Sequence, residues 1–574
     1  MIINKHKNII YKFFIFFILI CFFLINLNKL KFGLPLFLDA DESAFMKSTL
    51  SYLSYFTGIK SDLVDPIYAP LINLLFILKS VFINELIINS LNFSQIKSKI
   101  YFNPELFIYY GRIASLTIVT ISIYFLFLIL KKLKINFYLI SFSLIIFSTS
   151  LVTFSISTVN GKNSFYLLFF LIQIYFFLKY FLKSEKFNFK SYYLFGILGS
   201  ISWGINYWPA FVSIYAIIIL HYRNFKYKKF TNLMYFLSIF IFFGPILNYT
   251  YSSEEVLGHI FNFDKTNNFN SNLFLQNFIN ELVLSFRIIF NVEKGLILLI
   301  ILTPFFLFLK KNENKNIFIL LLILALEPIF LFSIAEKVIP QLRYFAGMVC
   351  LILILNCIIL NELIKNYNKN IFLGLFCLLS IFFIFSQVRI INEINYLVSK
   401  NHSFYKFRKE NTFNDKTIYI INDLQRKSLK NNLLYLELHE NNLIKNKNFE
   451  KDNYQEIQKK IKKIKVEKSF FIENKSFKKD LIVFNHSFFE IEDYKKFFDH
   501  LKKDYSYIVI DDLEINELKK YIEKNFQFIN ILHNEEKIYF RNLREVLNFY
   551  SFGKKINSSN KELIYGGKYK LFKL

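Results

Sequence analysis

Cysteine is sparse in the chain, and its placement excludes most of what cysteine does. All four residues (Cys21, Cys350, Cys357 and Cys377) fall inside apolar runs, so neither a disulfide framework nor a cysteine-based zinc site is expected. Glycine is also scarce, at 15 residues in 574, and no glycine-rich phosphate loop follows any of the short apolar stretches near the C-terminus. The basic start of the chain (Lys5, Lys7, Lys12) leads into about twenty apolar residues with no small-residue cleavage site, so this segment reads as a retained first span. Acidic residues are nearly missing from the basic tracts between the apolar runs. The shortage of Ala and Gly beside abundant Lys, Asn, Ile, Phe and Tyr reads as compositional drift and carries no functional weight.

What fills the chain is hydrophobic and aromatic. Hydrophobic residues make up 54% of it, aromatics 20%, and mean hydropathy is +0.35, too apolar for a soluble protein of this length. Long Phe/Ile/Leu runs recur along residues 1–390, which marks a polytopic α-helical membrane protein. The net charge of +27 does not signal nucleic acid, because Lys and Arg collect in short tracts between the runs, as in cytoplasmic membrane loops.

The charge rule orders the spans. The first covers about 9–27 with its N-terminus inside, which places residues 28–106 in a long first outer loop. The apolar stretch 67–92 in that loop is interrupted by Lys79 and Glu85. A crossing there would put Lys131, Lys132 and Lys134 outside after the next span, so interfacial helices are expected instead. Spans follow at about 107–130, 136–155 and 164–182. The stretch 192–220 has basic flanks at both ends, which calls for two short helices turning near Asn206-Tyr207-Trp208-Pro209 rather than one tilted helix. A span at about 230–249 leads to an outer loop over 250–293, polar and expected to be mobile. Further spans at about 294–309, 317–333, 343–361 and 371–388 bring the total to about eleven.

From about residue 400 to 574 the charge becomes mixed. Residues 417–421, 469–472, 481–484 and 507–510 read as strands, and 451–466, 491–503 and 513–524 as helices. This alternation predicts a C-terminal extracytoplasmic α/β domain. Asp511-Asp512 after a strand reads as a solvated strand end, and His439, His486, His500 and His533 lack ligand spacing.

The outer face thus collects Asp39, Asp41 and Glu42, then Asp62 and Asp65 before Pro66, then Arg112, Asn160 to Asn163 and Arg343-Tyr344. A carboxylate there can take a proton from an acceptor hydroxyl or amine while an arginine neutralises a phosphate. Leu38-Asp39-Ala40-Asp41-Glu42-Ser43-Ala44-Phe45 in the first outer loop, Asp65-Pro66-Ile67-Tyr68-Ala69-Pro70, Gly111-Arg112-Ile113-Ala114-Ser115 opening a span, and the late Arg343-Tyr344 together resemble the GT-C class of integral-membrane glycosyltransferases. The likeness is to its protein mannosyltransferase and aminoarabinose transferase-like branch, and it covers roughly residues 9–390. It implies a sugar donor carried on a polyprenyl phosphate and an acceptor outside the membrane, whether glycan, lipid or protein, with no nucleic-acid partner. It also implies residence in a bacterial inner membrane, with the C-terminal domain periplasmic.

Carried over, Asp41 would be the general base, supported by Glu42. Arg112, Arg343 and Tyr344 would hold the donor phosphate, and Asp39 and Asp65 would stand on the acceptor side. The resemblance leaves room for a divalent metal, with Glu42 and His259 as the ligands available to it. Asn163 stands where many relatives have an acid, and Asp65-Pro66 replaces a His-Pro or Lys-Pro. Asp39-Ala-Asp41 also spells the carboxylate pair of nucleotide-sugar enzymes, but an outer membrane loop offers no nucleotide pool. Two other classes compete: a transporter or flippase for a lipid-linked sugar, which needs ionisable residues within the spans, and a scaffold whose outer domain binds a partner. Lys179, Arg287 and Glu327 read as lying near span ends or in amphipathic stretches, which disfavours the transporter.

Overall fold

In the computed structural model the described residues are 2–30, 104–182, 187–205, 207–223, 230–247, 312–334, 342–366, 369–401, 417–422, 481–484, 505–511, 516–533 and 568–574. Shorter pieces are described at 42, 74–76, 78–79, and within 276–293 and 495–502. The helices are α1 (Ile2–Leu27), α2 (Pro104–Lys132), α3 (Phe137–Thr149), α4 (Leu151–Ser157), α5 (Asn163–Leu182), α6 (Phe189–Ile205), α7 (Tyr207–Arg223), α8 (Phe230–Leu247), α9 (Asn312–Ile334), α10 (Ala346–Asn366) and α11 (Lys369–Asn401). A 3-10 turn, Leu342–Phe345, leads directly into α10.

By length and composition, four of the described helical stretches can cross a membrane: Phe107–Lys132, Asn163–Leu182, Leu342–Asn366 and Asn370–Asn392. The bent pair α3 and α4 makes a fifth if taken as one span. Helix α10 is the axis of the bundle. Every residue from Ala346 to Ile364 is buried, and α10 touches α3, α5, α9 and α11. The outer helices carry Phe13, Phe16 and Phe17 on α1, and Leu378, Phe382 and Phe385 on α11, on exposed faces. An apolar exterior around an apolar interior is the pattern of a helix bundle in lipid, and the chain is a helical membrane protein.

Local chemistry sets the turns. Helix α2 closes on its basic tract with Lys134 in the left-handed region (φ 56°). Ile135 N–H bonds Leu130 O at 3.2 Å and Lys134 N–H bonds Lys131 O at 3.1 Å, the paired bonds of a Schellman cap. Asn361 of α10 holds this turn, accepting from Asn136 N–H at 2.9 Å and donating to Lys134 O at 3.4 Å. The expected single span over 136–155 is instead two helices bent by 58°. Ser150 causes the break. Its backbone is extended, its N–H caps α3 at Phe147 O, and its hydroxyl accepts from Thr153 N–H at 3.1 Å to begin α4.

The stretch 192–220 forms the expected hairpin. Helices α6 and α7 pack on each other, and the Tyr192 hydroxyl near the start of α6 meets His221 Nδ1 near the end of α7 at 2.7 Å, which requires antiparallel helices. Each has 17 residues, about 25 Å of helix, slightly short of a bilayer core of about 30 Å. Gln173 of α5 ties both, donating to Ser202 at 2.7 Å and accepting from Ser213 at 2.6 Å. Helix α8 packs along α6 over Gly196 and Gly199. A Cβ at Gly199 would stand 2.9 Å from the Phe240 ring.

Beyond α11 the described residues form a five-stranded sheet: β1 (Thr417–Asn422), β2 (Leu481–Phe484), β3 (Tyr507–Asp511), β4 (Gln527–His533) and β5 (Lys568–Lys573), with α12 (Asn516–Asn525) between β3 and β4. The strand order is β2-β1-β3-β5-β4. The first three strands are parallel, with Tyr419 opposite Leu481 and Val509, whereas β5 runs antiparallel to both β3 and β4. The sheet is thus mixed, with two C-terminal strands that the alternation reading omitted. The expected strand 469–472 and helix 451–466 lie outside the described residues. The expected span at about 294–309 lies outside the described residues.

Candidate functional site

One end of the bundle gathers buried charge. Helix α2 starts at this end, α10 is entered here through its 3-10 turn, and the Schellman turn with Asn361 marks the other. Arg112, near the start of α2, is 2% exposed and Glu42 of the first loop 0%. The guanidinium forks onto the carboxylate, Nε to Oε1 at 2.8 Å and Nη2 to Oε2 at 2.7 Å, and Nη1 donates to Leu30 O at 2.8 Å just past α1. Asn160 N–H adds a bond to Glu42 Oε1 at 2.6 Å. A two-pronged, charge-assisted pair is among the stronger polar contacts a protein makes. It fastens Glu42 to α2 and to the segment between α4 and α5.

That segment fits closely. Asn160, Asn163 and Ser164 are buried, and a Cβ at Gly111 would overlap the side chain of Asn160, so Gly111 lets the loop lie against α2. The Asn163 carboxamide oxygen is buried with no partner among the described residues.

A second cation lies beside the pair. Lys79 is 6% exposed and donates to Ser115 Oγ at 2.7 Å and Gly161 O at 3.2 Å, and the Phe76 and Phe165 rings stand 5.0 and 5.4 Å from its Nζ. Burial pushes the ammonium down to about 7, opposed by the negative charge of Glu42. Lys29 lies 5.6 Å from the centre of the Phe154 ring on α4, and burial lowers its pKa too. Arg343 is 9% exposed, its guanidinium 5.5 Å from the Tyr344 ring, in a turn that packs on α4.

Below this layer, Glu293 reaches the break between α3 and α4, where its Oε1 accepts from Val152 N–H at 3.2 Å. Gln387 of α11 accepts from Leu151 N–H at 3.1 Å.

The structure therefore brings Glu42, Arg112, Arg343 and Tyr344 to one end of the bundle. Asp39, Asp41, Asp65 and His259 lie outside the described residues. Lys79 and Glu293 were not singled out by sequence reasoning. For Lys79 the signal was available, a lone lysine inside the apolar stretch 67–92, whereas Glu293 at the edge of a polar loop offered none.

Glu42 spends three acceptor positions on Arg112 and Asn160, and His259, the other ligand named for a metal, lies outside the described residues. Among the described residues no three of His, Cys, Asp and Glu come together. Glu327, read from the sequence as near a span end or in an amphipathic stretch, is 8% exposed, lies seven residues before the end of α9 and directly precedes Pro328. Compared with known proteins, the chain matches no family model, no curated protein and no solved structure.

Proposed function

We propose that the chain is a glycosyltransferase that moves a sugar from a polyprenyl-phosphate donor to an acceptor on the extracytoplasmic side of the membrane. The observation that carries the reading is the buried Glu42–Arg112 pair at the end of an apolar bundle where Lys79 and Arg343 also sit. Cations in a low-dielectric setting favour a phosphate group, and a lipid-linked phosphate reaches such a site from the bilayer.

In this scheme Glu42 and Arg112 position rather than react. Asp41 is one peptide from Glu42, its Cα about 3.8 Å from an anchored one, and serves as the base that takes the acceptor's proton. The acceptor oxygen or nitrogen bonds the anomeric carbon as the bond to phosphate breaks. The lipid phosphate departs with its negative charge facing Arg343, Tyr344 and Lys79. Asp39 and Asp65 lie on the acceptor side. The topology that goes with this places the N-terminus in the cytoplasm and the C-terminal sheet outside a bacterial inner membrane.

The test is sugar transfer by purified protein from a panel of radiolabelled polyprenyl-phosphate sugars to cellular glycans, lipids and proteins. The expected result is transfer by the wild type and at least 100-fold less by folded Asp41→Asn, since loss of a general base costs about 10²–10⁴-fold. Equal transfer by the variant would overturn the assignment of the base, and no transfer from any donor would overturn the class. A transporter for lipid-linked sugar is the second reading, favoured by Glu327 buried next to a proline within a helix.

A further inference from the structure

The 58° bend between α3 and α4 leaves the leading N–H groups of α4 without helical partners inside the bundle, where each needs an acceptor. Three side chains from three parts of the chain supply them. Leu151 N–H bonds Gln387 Oε1 of α11 at 3.1 Å, Val152 N–H bonds Glu293 Oε1 at 3.2 Å, and Thr153 N–H bonds Ser150 Oγ at 3.1 Å. Glu293 and Gln387 are both fully buried, and the second oxygen of Glu293, Oε2, has no partner among the described residues. The other end of α4 is closed as firmly, since the N–H and the hydroxyl of Thr158 both bond Phe154 O, at 3.1 and 2.8 Å. Two residues on, Asn160 N–H meets Glu42 and Gly161 O accepts from Lys79. All seven residues of α4 are buried, Lys29 stands over Phe154, and the turn that carries Arg343 packs on the helix. A helix of that length is about 10 Å long, so it links the Glu293 layer to the charged layer as a short strut.

We propose that Glu293 and Gln387 are positioning residues for the charged end of the bundle: by holding the first two N–H groups of α4 they fix the tilt of that helix, and with it the placing of Asn160 against Glu42 and of Gly161 against Lys79. Ser150 belongs to the same stretch of chain and can only start the helix. Acceptors brought from elsewhere give it a direction. A swing of about 5° at the break carries the far end of such a helix about 1 Å, and a misplacement of about 1 Å at a reacting centre can cost about 10²-fold in rate. What is asked of Glu293 is one accepted hydrogen bond. A carboxamide can supply it, with its NH2 group standing where Oε2 now has no partner among the described residues. The consequence for sugar transfer rests on the function proposed above, whereas the placing of Asn160 and Gly161 does not.

The experiment measures amide hydrogen exchange in the purified full-length protein, comparing the peptide over 158–163 with peptides from α10, and beside it kcat for sugar transfer. In Glu293→Met, which removes the acceptor, exchange over 158–163 should quicken about tenfold while α10 exchanges as in the wild type, and kcat should fall about tenfold or more. Glu293→Gln, which keeps an acceptor, should return both close to the wild type. Unchanged exchange over 158–163 in Glu293→Met would overturn the proposal, as would quickening spread equally over α10, or faster exchange with undiminished transfer by an enzyme that is active as wild type. A loss of transfer in Glu293→Gln as deep as in Glu293→Met would make the carboxylate a reacting group and overturn it too. Should Glu293→Met fail to fold, Gln387→Met, which strips Leu151 N–H of its acceptor, carries the same comparison. Absence of transfer by the wild type would sink the reading as a glycosyltransferase alone, because the exchange comparison needs no substrate and decides the positioning role by itself.

Discussion

The Glu42–Arg112 pair illustrates how much a buried ion pair asks of its surroundings. Removing one partner leaves a charge stranded where water cannot reach it, at a cost of about 3–5 kcal/mol, whereas replacing both with apolar groups of similar size is often nearly neutral. Glu42→Met and Arg112→Met should therefore each lower stability by roughly that amount, and the double variant should recover most of it in a thermodynamic cycle. Additive losses would mean that the two residues act apart. Lys79 makes a pH prediction. Its ammonium titrates at about 7 when folded against 10.5 ordinarily, so between these values the unfolded chain binds the extra proton. Stability should rise as pH climbs from about 7 to 10.5, and below 7 the full cost of the buried charge remains. Lys79→Met should flatten that slope in unfolding measured across the range. Gly111→Ala should push Asn160 off Glu42 and cost about 1–3 kcal/mol as overpacking does, read as a lowered unfolding midpoint.

At the scale of elements, the basic flanks of 192–220 carried enough information to predict the α6–α7 hairpin, because charge on both sides of an apolar run constrains parity whatever the helices do inside. The break at Ser150 escaped the same reasoning. Its cause is a local competition, a serine hydroxyl capping a new helix, at Ser148-Thr149-Ser150 within an otherwise mostly apolar run. Strands β4 and β5 were missed because strands were read from short unbroken apolar runs, whereas Gln527–His533 and Lys568–Lys573 interleave polar residues with apolar ones, as half-buried strands do. The contact of α6 with α8 gives a prediction of its own. Gly199→Leu should force the helices apart at Phe240 and Ser213 and lower the unfolding midpoint, whereas Gly374→Leu, at a position where a Cβ meets nothing, should leave it unchanged.

Across the whole molecule, the arginines chosen from sequence arrive at one end of the bundle because each opens a helix that runs in the same direction. Counting basic tracts sufficed for that, but not for the pairing of Arg112 with Glu42, which joins residues 70 positions apart. The orientation can be checked with single cysteines at Lys132, Lys365 and Trp208 in a background lacking the native four. A membrane-impermeant thiol reagent should reach the first two from one side and the third from the other, and labelling of all three from one side would refute the topology.

The burial of α10 along its length also bears on how the chain is made. A helix that serves as the axis for α3, α5, α9 and α11 leaves the ribosome after most of them. Synthesis at about 5–20 residues per second means that α3 and α5 wait on the order of ten seconds or more for their centre. During that interval Asn361 has not reached the turn after α2, and the faces of α3 and α5 that α10 will cover meet lipid or the insertion machinery instead. The bundle is therefore closed late, from the inside, and errors in the last two helices should be felt by the first ones.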